Sequence, residues 1–234
     1  MINIDFSMLN DIRRGYDPDS ESKTLNEYHK LLWQKELPNG IFLDLKTIKG
    51  KPLRLISNNC KNLILSSDSI IHTYSKWKRT QGIISKLSKN DLENFIYLAS
   101  TIGGYLIFPS HRVENKPTIN ASRGMNSKIR DRFDLTLECI RLWYKGVENP
   151  LFQTLNRYKD FFKYFNNFKG YIKFFLLDDL VSTDYKKINF WLPFNGFGSV
   201  KTIPTSFDEY KLYKQNILKF LHNRNRRIEE YTKQ

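Results

Sequence analysis

The stretch TINASRGMNSKIRDRFDLTLECIRLWY, residues 118–144, decides how the rest of the chain is interpreted. It begins as a polar segment of residue types that form turns, and Ser127 is positioned to cap a helix. Beyond it, apolar residues recur every three or four positions, which places them on one face of about four helical turns. They are Ile129, Phe133, Leu137, Ile140 and Tyr144. The stretch therefore predicts a polar loop that leads into an amphipathic helix with a buried face.

Charged residues on the other faces of this predicted helix leave two interpretations open. Arg130 is spaced to pair with Asp134 on a helix surface, a contribution of about 0.2–0.5 kcal/mol. Glu138 is spaced to pair with Arg141 in the same way. Alternatively the polar loop and this helix form a site, in which Arg123 clamps a phosphate group through its planar fork of donors.

The composition predicts a folded chain. Its 234 residues are 40% hydrophobic and 15% aromatic, which is enough for one sizeable core or two small ones. No apolar run approaches the roughly 20 residues of a membrane span, and the first residues lack the apolar segment of a signal peptide. We therefore expect a cytoplasmic protein with no membrane partner. The two cysteines, Cys60 and Cys139, fit a reducing compartment, and Cys139 is expected to be a buried, inert thiol.

The net charge of +14 is typical of a protein that binds a polyanion. The charge is uneven, because residues 46–90 contain ten lysines and arginines but a single acid, Asp68. Nucleic acid is the first candidate partner. An acidic protein, such as a neutralising antitoxin, explains the same surplus, and so does a composition that is rich in Lys, Asn and Ile throughout.

The amino-terminal half predicts helices around a small sheet. Residues 1–20 predict a weakly structured arm that ends in a turn at 17–20, and Ser22 or Thr24 can cap a helix that continues to Trp33. Strands are predicted at 41–46, 52–57 and 62–65, as an antiparallel meander with turns at 49–51 and 58–59, and at 105–108. Further helices are predicted through 70–77, capped by one of the residues 66–69, and at 91–100, capped by Ser88.

The carboxy-terminal half is predicted to be mostly helical. Helices are expected at 151–168, with a buried aromatic stripe, at 171–181, and at 207–231, where the last one frays over 223–227. A short strand is expected at 188–194. The predicted fold is a helix-dominated, single α+β domain over 21–234 with a small antiparallel sheet. Its sheet-rich part spans about 41–110 and its helical part about 120–234.

Several runs of the sequence resemble one widespread bacterial family. They are DPDSESKTLNEYHKLLW (17–33), LPNG (37–40), LSSDSII (65–71), TIGGYLIFPS (101–110), TINASRG (118–124), DRFDLTLECIR (131–141), YKDFFKYF (158–165), GYIKFFLLDDLV (170–181) and NRRI (225–228). The family is catalogued as domain of unknown function 6994, and the resemblance covers nearly the whole chain. The name implies no activity. Residues 58–79 and the loop at 186–187 are expected to differ most from the family.

Several common catalytic motifs are absent from the sequence. There is no glycine-rich phosphate loop ending in Lys-Ser or Lys-Thr, no Cys and His set at zinc spacing, no HExxH and no Gly-x-Ser-x-Gly. The four histidines, His29, His72, His111 and His222, are far apart in the sequence. No metal site is predicted.

Our leading hypothesis is a transferase that uses NAD to modify RNA, in the manner of ADP-ribosyltransferase toxins. Such chemistry needs an aromatic ring for the nicotinamide, a His or Arg for the ribose or pyrophosphate, a hydroxyl, and a carboxylate that orients the ribose. The predicted catalytic residues are Tyr28, His29, Arg123 and Glu138. The predicted cofactor-binding residues are Ser66, Ser67, Tyr74 and Asn120.

A basic surface is expected to contact the RNA. The predicted contacts are Lys76, Lys78, Arg79, Arg112, Arg130, Arg224, Arg226 and Arg227. The arginines at 224–227 could equally be cations that are favourable near a helix C-terminus. Tyr74 and Trp77 could stack bases, although Trp77 fits the core better. A small basic chain of this kind resembles the toxin half of a toxin–antitoxin or phage-defence system, with an acidic antitoxin and a chaperone as partners.

Two other functions remain open from the sequence. A metal-independent ribonuclease would use His29 or His72 as a general base, with Arg123 or Arg132 on the pentacoordinate phosphate. A metal-dependent nuclease is a weaker version, because only residues 103–120 faintly resemble HNH nucleases. The third possibility is a non-catalytic module that binds nucleic acid or protein through its charge and aromatic residues.

Overall fold

A computed structural model describes residues 2–10, 21–42, 44–46, 53–57 and 60–233. Within them the protein is an α+β fold dominated by helices, with a small antiparallel sheet, as the sequence predicts. The turns predicted at 17–20, 49–51 and 58–59 lie outside the described residues.

The sheet is an antiparallel meander of four strands. They are β1 (Asp44–Lys46), β2 (Leu53–Ser57), β3 (Cys60–Ser69) and β4 (Tyr105–Pro109), hydrogen-bonded in that order. In the last pair, Leu65 lies opposite Pro109 and Ser69 lies opposite Tyr105. The predicted meander and the predicted strand at 105–108 are therefore confirmed.

The helices account for most of the remaining chain. They are α1 (Lys23–Trp33), α2 (Gln81–Ile84), α3 (Lys89–Ala99), α4 (Ile119–Met125), α5 (Phe133–Tyr144), α6 (Phe152–Arg157), α7 (Lys159–Lys163), α8 (Phe168–Phe174) and α9 (Phe207–Thr232). Single 3₁₀ turns occur at Met8–Asn10, Lys78–Thr80, Ile102–Gly104 and Asp178–Leu180. None of these described helices is both long enough and apolar enough to cross a membrane.

Two predicted helix caps are confirmed. The Ser22 hydroxyl accepts a hydrogen bond from the backbone N–H of Leu25 at the start of α1. The Ser88 hydroxyl accepts one from Asp91 at the start of α3. Each cap satisfies a backbone donor that the helix itself leaves open, a contribution of about 1 kcal/mol.

The helix predicted after residues 66–69 is wrong. The serines at 66, 67 and 69 do not cap a helix, because β3 continues through Ser69 and residues 66–69 pair with β4. Residues 70–74 beyond β3 then form no regular secondary structure, and Tyr74 has a φ of 54°. That left-handed conformation is incompatible with a continuous right-handed helix.

The stretch at 118–144 contains two helices instead of a loop and one helix. Thr118 caps α4 by accepting a hydrogen bond from Ala121, so the predicted polar loop is largely helical. The main helix does not begin at Ser127, because Arg130 and Asp131 have φ values of 49° and 61°. It begins at Phe133 instead. The predicted buried face is confirmed for Ile129, Phe133, Leu137 and Ile140, whose side chains have 0% exposure.

The predictions for residues 151–194 are only partly correct. The predicted helix at 151–168 is divided at Tyr158, which is not helical, into α6 and α7. Its aromatic stripe is buried, as predicted, with Phe162 and Phe165 at 0% exposure. The predicted helix at 171–181 ends after α8, and Leu176 has a φ of 55°. The predicted strand at 188–194 is reduced, in the described chain, to one isolated bridge between Val181 and Ile188.

The final helix, α9, does not fray at 223–227 and instead enters the core there. Arg224 is completely buried and donates hydrogen bonds to the carbonyl oxygens of Gly103, Tyr105 and Phe175. The side-chain oxygen of Asn225 accepts a hydrogen bond from the backbone N–H of Gly103 at 2.7 Å. These contacts attach α9 to the turn that precedes β4.

The first described residues pack against the domain. Met8 is completely buried, and its backbone N–H donates to Ser100 at 2.8 Å. Ser7 forms an isolated bridge with Thr101. This part of the predicted arm is therefore held in place, and residues 11–20 lie outside the described chain.

Candidate functional site

The predicted catalytic residues lie on two opposite faces of the sheet, as the contacts of two neighbouring residues of β3 show. Successive side chains of a strand point to opposite faces. The Ser67 hydroxyl lies 3.0 Å from Nε2 of His29. The carboxylate of the next residue, Asp68, lies 3.4 Å from the guanidinium of Arg123. His29 and Arg123 therefore lie on opposite sides of the sheet, and the pocket predicted to combine them does not exist.

Tyr28 and His29 are core residues, which corrects their predicted catalytic role. Both are 1% exposed, and their ring centroids are 5.3 Å apart. Burial, and then the positive charge of Arg224, lower the pKa of His29 to about 3. Ser67, which was predicted to bind the cofactor, is buried in the same cluster through its contact with His29. A neutral, enclosed imidazole cannot reach a substrate.

Glu138 is also not available for catalysis. Arg141 donates two hydrogen bonds of 2.7 Å to its two carboxylate oxygens. This confirms the predicted pairing of Glu138 with Arg141 and corrects the catalytic assignment, because both oxygens are engaged. The predicted pairing of Arg130 with Asp134 is wrong, since Asp134 binds the guanidinium of Arg132 instead.

Tyr74 cannot stack on a cofactor. The Tyr74 ring is completely buried, and its hydroxyl donates to the backbone carbonyl of Arg130 at 2.8 Å. The ring therefore offers no free face on which a nicotinamide could stack. The Ser66 hydroxyl donates to the carbonyl oxygen of Ser67 at 3.2 Å. The prediction for Tyr74 is corrected, and that for Ser66, which is half-buried, stays a prediction.

A cleft opens on the face of the sheet that carries Asp68. Its acidic half lies between the end of β3 with the chain that follows it, and α4 with the turn at 126–131. Its basic half lies between that same chain and the end of α3. We call it the His72 cleft, because His72 borders both of its halves. The acidic half has a volume of about 350 Å³ and includes Asp68, Ser69, His72, Asn120, Gly124, Met125 and Asp131. The basic half has a volume of about 340 Å³ and includes Ser69, His72, Thr73, Lys76, Trp77 and Ser100.

Arg123 lies beneath the acidic half and supports it. Its guanidinium is completely buried, lies 3.4 Å from the Asp68 carboxylate and donates to the backbone carbonyl of Asp131 at 3.1 Å. Phe108 and Phe133 lie against it, each ring centroid 5.8 Å away. The predicted phosphate clamp is therefore wrong, because Arg123 is enclosed. It orients two residues of the cleft instead.

The carboxylate of Asp131 lies directly over α4. A Cβ atom added to Gly124 would lie 3.1 and 3.2 Å from the two carboxylate oxygens, so glycine permits this close approach. Asp131 and its neighbour Arg130 both have left-handed backbone conformations. Such strain costs on the order of 1–3 kcal/mol per residue and concentrates at functional sites.

His72 presents a hydrogen-bond donor. Its Nδ1 accepts a hydrogen bond from the backbone N–H of Tyr74 at 3.0 Å. The proton of the neutral ring must therefore be on Nε2. Burial lowers the pKa of His72, against the opposing effect of the Asp131 carboxylate, and the charge of Arg123 lowers it further. The ring is accordingly neutral at pH 7, with Nδ1 occupied and an N–H at Nε2.

Asn120 is the one predicted cofactor-binding residue that lines the cleft. Its side-chain oxygen is buried and accepts no hydrogen bond from any described residue. A buried amide oxygen without a donor is costly, so a ligand hydroxyl or N–H would fit there.

The predicted nucleic-acid contacts lie in three different environments. Lys76, Lys78, Arg79, Arg112 and Arg226 are exposed. Arg130 and Arg227 are half-buried: Arg130 stacks on Trp77 at 5.8 Å, and Arg227 pairs with Asp179 at 2.8 Å. Arg224 lies in the core, which corrects its assignment. Trp77 is half-buried and packs against the core, in agreement with the preferred prediction.

The sequence prediction missed both carboxylates of the cleft. Asp68 is the single acid among ten basic residues at 46–90, and this isolation is a signal that could have identified it. Asp131 has no comparable signal, because its position depends on a left-handed turn. His72 was considered only for a ribonuclease. Among the described residues, no group of three or more His, Cys, Asp or Glu side chains is arranged to hold a metal ion.

Comparison with known proteins identifies a family. The model of the family described as "Family of unknown function (DUF6994)" matches residues 2–228. The chain belongs to this family. A search of curated proteins found no match, and neither did a search of solved structures. The resemblance found in the sequence is therefore confirmed over almost the whole chain.

Proposed function

We propose that the His72 cleft binds NAD and transfers its ADP-ribose group to RNA. The observation that carries this proposal is the presence of two carboxylates, Asp68 and Asp131, in one half of the same cleft. The cleft belongs to a chain with a net charge of +14, so this local negative charge stands out. Its two halves have volumes in the range of small-molecule sites.

The chemistry explains why carboxylates suit this reaction. The bond between ribose C1′ and nicotinamide breaks with both electrons leaving on the nicotinamide. The positive charge left behind is shared by C1′ and the ring oxygen, and a nearby carboxylate stabilises it. A new C1′–O bond then forms with a hydroxyl of RNA, whose proton passes to a carboxylate. Phosphodiester cleavage instead develops negative charge, which two carboxylates oppose.

The residues of the cleft can be assigned to separate roles. Asp131, held over α4 by a strained backbone, is assigned as the carboxylate next to C1′. Asp68 has a side chain that is 40% exposed and is assigned to the ribose hydroxyls. Asn120 and the Nε2–H of His72 are assigned to polar groups of the ligand. Lys76 and Trp77 in the basic half suit a phosphate and a base of the RNA.

The geometry gives less support to a ribonuclease. His29 is buried with a pKa lowered to about 3, and Arg132 is enclosed with Asp134. His72 in its neutral form has its acceptor nitrogen occupied by the N–H of Tyr74. Neither of the two histidines predicted as the general base of that reaction is therefore placed to act as one.

The test incubates the purified protein with total RNA and NAD that carries a label in its adenylate phosphate. We expect label to enter RNA only when NAD and the wild-type protein are both present, and to be lost in Asp131→Asn. Asp160→Asn, at an exposed position of α7 outside the cleft, is the matched control and retains activity.

Other outcomes would contradict the proposal in distinct ways. Shortening of RNA without NAD would indicate a ribonuclease. Retention of RNA without any product would indicate a binding module. Label that enters protein instead of RNA would keep the glycosidic chemistry and refute RNA as the acceptor.

A further inference from the structure

A second, larger cavity lies between α9 and the chain around residues 178–191. Its volume is about 740 Å³, and none of the described residues that line it borders the His72 cleft. This volume is within the range of about 300–1,000 Å³ that is typical of sites for small molecules. The cavity is therefore large enough to hold a nucleotide.

One wall of this cavity is a polar stripe of α9. Asn216, Lys219, Asn223 and Arg227 all line the cavity and are separated by three or four positions. Side chains at this spacing lie on one face of a helix. The stripe provides amide, ammonium and guanidinium groups in a row, which are mainly hydrogen-bond donors.

The two acids of the cavity already have partners. Asp178 pairs with Lys173 at 2.6 Å and accepts a hydrogen bond from the Tyr185 hydroxyl. Asp179 accepts two hydrogen bonds from Arg227, at 2.8 and 3.2 Å. Their negative charges are compensated within the wall, so they do not oppose an anionic ligand strongly.

Three donor groups of the cavity have no such partner. The ammonium of Lys219, an exposed residue, and the amide of Asn223 form no hydrogen bond or ion pair with any described residue. The indole Nε1 of Trp191, a residue that is only 1% exposed, is buried and has no acceptor among the described residues. The Lys219 ammonium and the Asn223 amide are therefore the two of these donors that are open to a ligand, whereas the indole nitrogen is enclosed.

We propose that this cavity binds a nucleoside monophosphate. The uncompensated charge of Lys219 selects an anionic group, here the phosphate. Phe190, which also lines the cavity and is half-buried, provides aromatic surface for a planar base. The Asn223 amide has both a donor and an acceptor and so suits a base edge. This site shares no residue with the His72 cleft and does not depend on the function proposed there.

Calorimetric titration with AMP, GMP, CMP and UMP tests this proposal. We expect at least one of them to bind, and Lys219→Gln to weaken that binding about tenfold or more, because a charge-assisted hydrogen bond is lost. Lys211→Gln is the matched control, since Lys211 lies on the same helix outside the cavity and pairs with Asp208. It retains wild-type affinity.

Four results would overturn the proposal. They are no binding of any monophosphate at millimolar concentration, unchanged binding by Lys219→Gln, equal losses in the two lysine variants, and ribose 5-phosphate binding as tightly as the nucleotide. Asp131→Asn retains this binding, since Asp131 lies in the other cleft. Loss of binding in Asp131→Asn would be a fifth such result, because it would place the nucleotide in the His72 cleft instead.

Discussion

Arg123 and Arg224 are both completely buried, but they are held differently. Arg123 has the carboxylate of Asp68 beside it. Arg224 donates to backbone carbonyl oxygens in two segments of the chain, before and within β4 and after α8. Burying a charge is costly unless its hydrogen bonds are satisfied. Both arginines therefore serve to fix the positions of backbone segments in the interior.

The buried His29 predicts a loss of stability in acid. Its folded pKa is about 3, well below its ordinary value near 6.5, because burial and Arg224 disfavour the imidazolium. The unfolded chain gains a proton as the pH falls below 6.5, while the folded chain does not. Stability that is present above pH 6.5 is therefore lost toward pH 3, by about 1.4 kcal/mol per pH unit between about pH 5.5 and 4.

Urea denaturation at a series of pH values measures this contribution. His29→Gln retains a polar group for Ser67 but removes the titration. We expect the free energy of unfolding of this variant to fall less steeply with acid than that of the wild type. Parallel curves for the two proteins would show that His29 does not titrate on unfolding in this range.

Single residues of the core were the hardest to predict. An arginine is seldom fully buried, so the sequence favoured solvent-exposed roles for Arg123 and Arg224. Their partners are distant in the chain: Asp68 is 55 residues from Arg123, and Gly103 is 121 residues from Arg224. Only folding brings such residues together, and no local pattern reports it.

The attachment of α9 to the turn before β4 depends on a glycine. A Cβ atom at Gly103 would overlap the side-chain oxygen of Asn225. We expect Gly103→Ala to reduce the free energy of unfolding by about 2 kcal/mol or more, because it displaces Asn225 and breaks its hydrogen bond to the Gly103 N–H.

Gly82→Ala is the matched control for this substitution. Gly82 is in α2, and a Cβ atom there would meet no atom within 4 Å. Alanine favours a helix over glycine, so this variant is expected to gain up to about 1 kcal/mol. Thermal and urea unfolding of both variants give the comparison. Similar effects of the two substitutions would refute the contact at Gly103.

At the scale of elements, the sequence predicted features that depend on neighbouring residues. It failed where a contact with a distant residue decides the structure. The caps at Ser22 and Ser88 act within three residues of the chain, and both were predicted. The serines at 66–69 carry the same signal, but pairing with β4 overrides it. The start of α5 was placed too early, because the turn before it depends on a hydrogen bond from the distant Tyr74 to Arg130.

The exposed basic residues beside the His72 cleft predict a salt-dependent affinity for RNA. Lys76, Lys78 and Arg79 are exposed and close together in the chain. Neutralising all three as glutamines should weaken RNA binding and reduce the slope of log K against log salt by about 2, at about 0.7 per phosphate contact. Fluorescence anisotropy over a range of salt concentrations measures the slope.

Three exposed lysines on other segments provide the control for this triple variant. They are Lys145, Lys186 and Lys187. Replacing them with glutamine removes the same charge from the whole molecule. An equal loss of slope in the two triple variants would mean that net charge, rather than a surface at the cleft, governs the affinity.

At the scale of the whole molecule, the fold class was predictable and the site was not. Composition and periodicity indicate helices around a small antiparallel sheet, and this is confirmed. The site requires knowledge of which face of β3 each residue occupies. A shift of one position, from Ser67 to Asp68, changes the partner from a buried histidine to the arginine beneath the cleft.

The most direct test of the proposed function is the rate of nicotinamide release from NAD by Asp131→Asn. Asp131 is assigned to stabilise the charge at C1′, so the rate should fall by about a hundredfold or more. Asp160→Asn should react like the wild type, and both variants should keep the wild-type melting temperature. An unchanged rate in Asp131→Asn, or no release by the wild-type protein, would contradict catalysis in the His72 cleft.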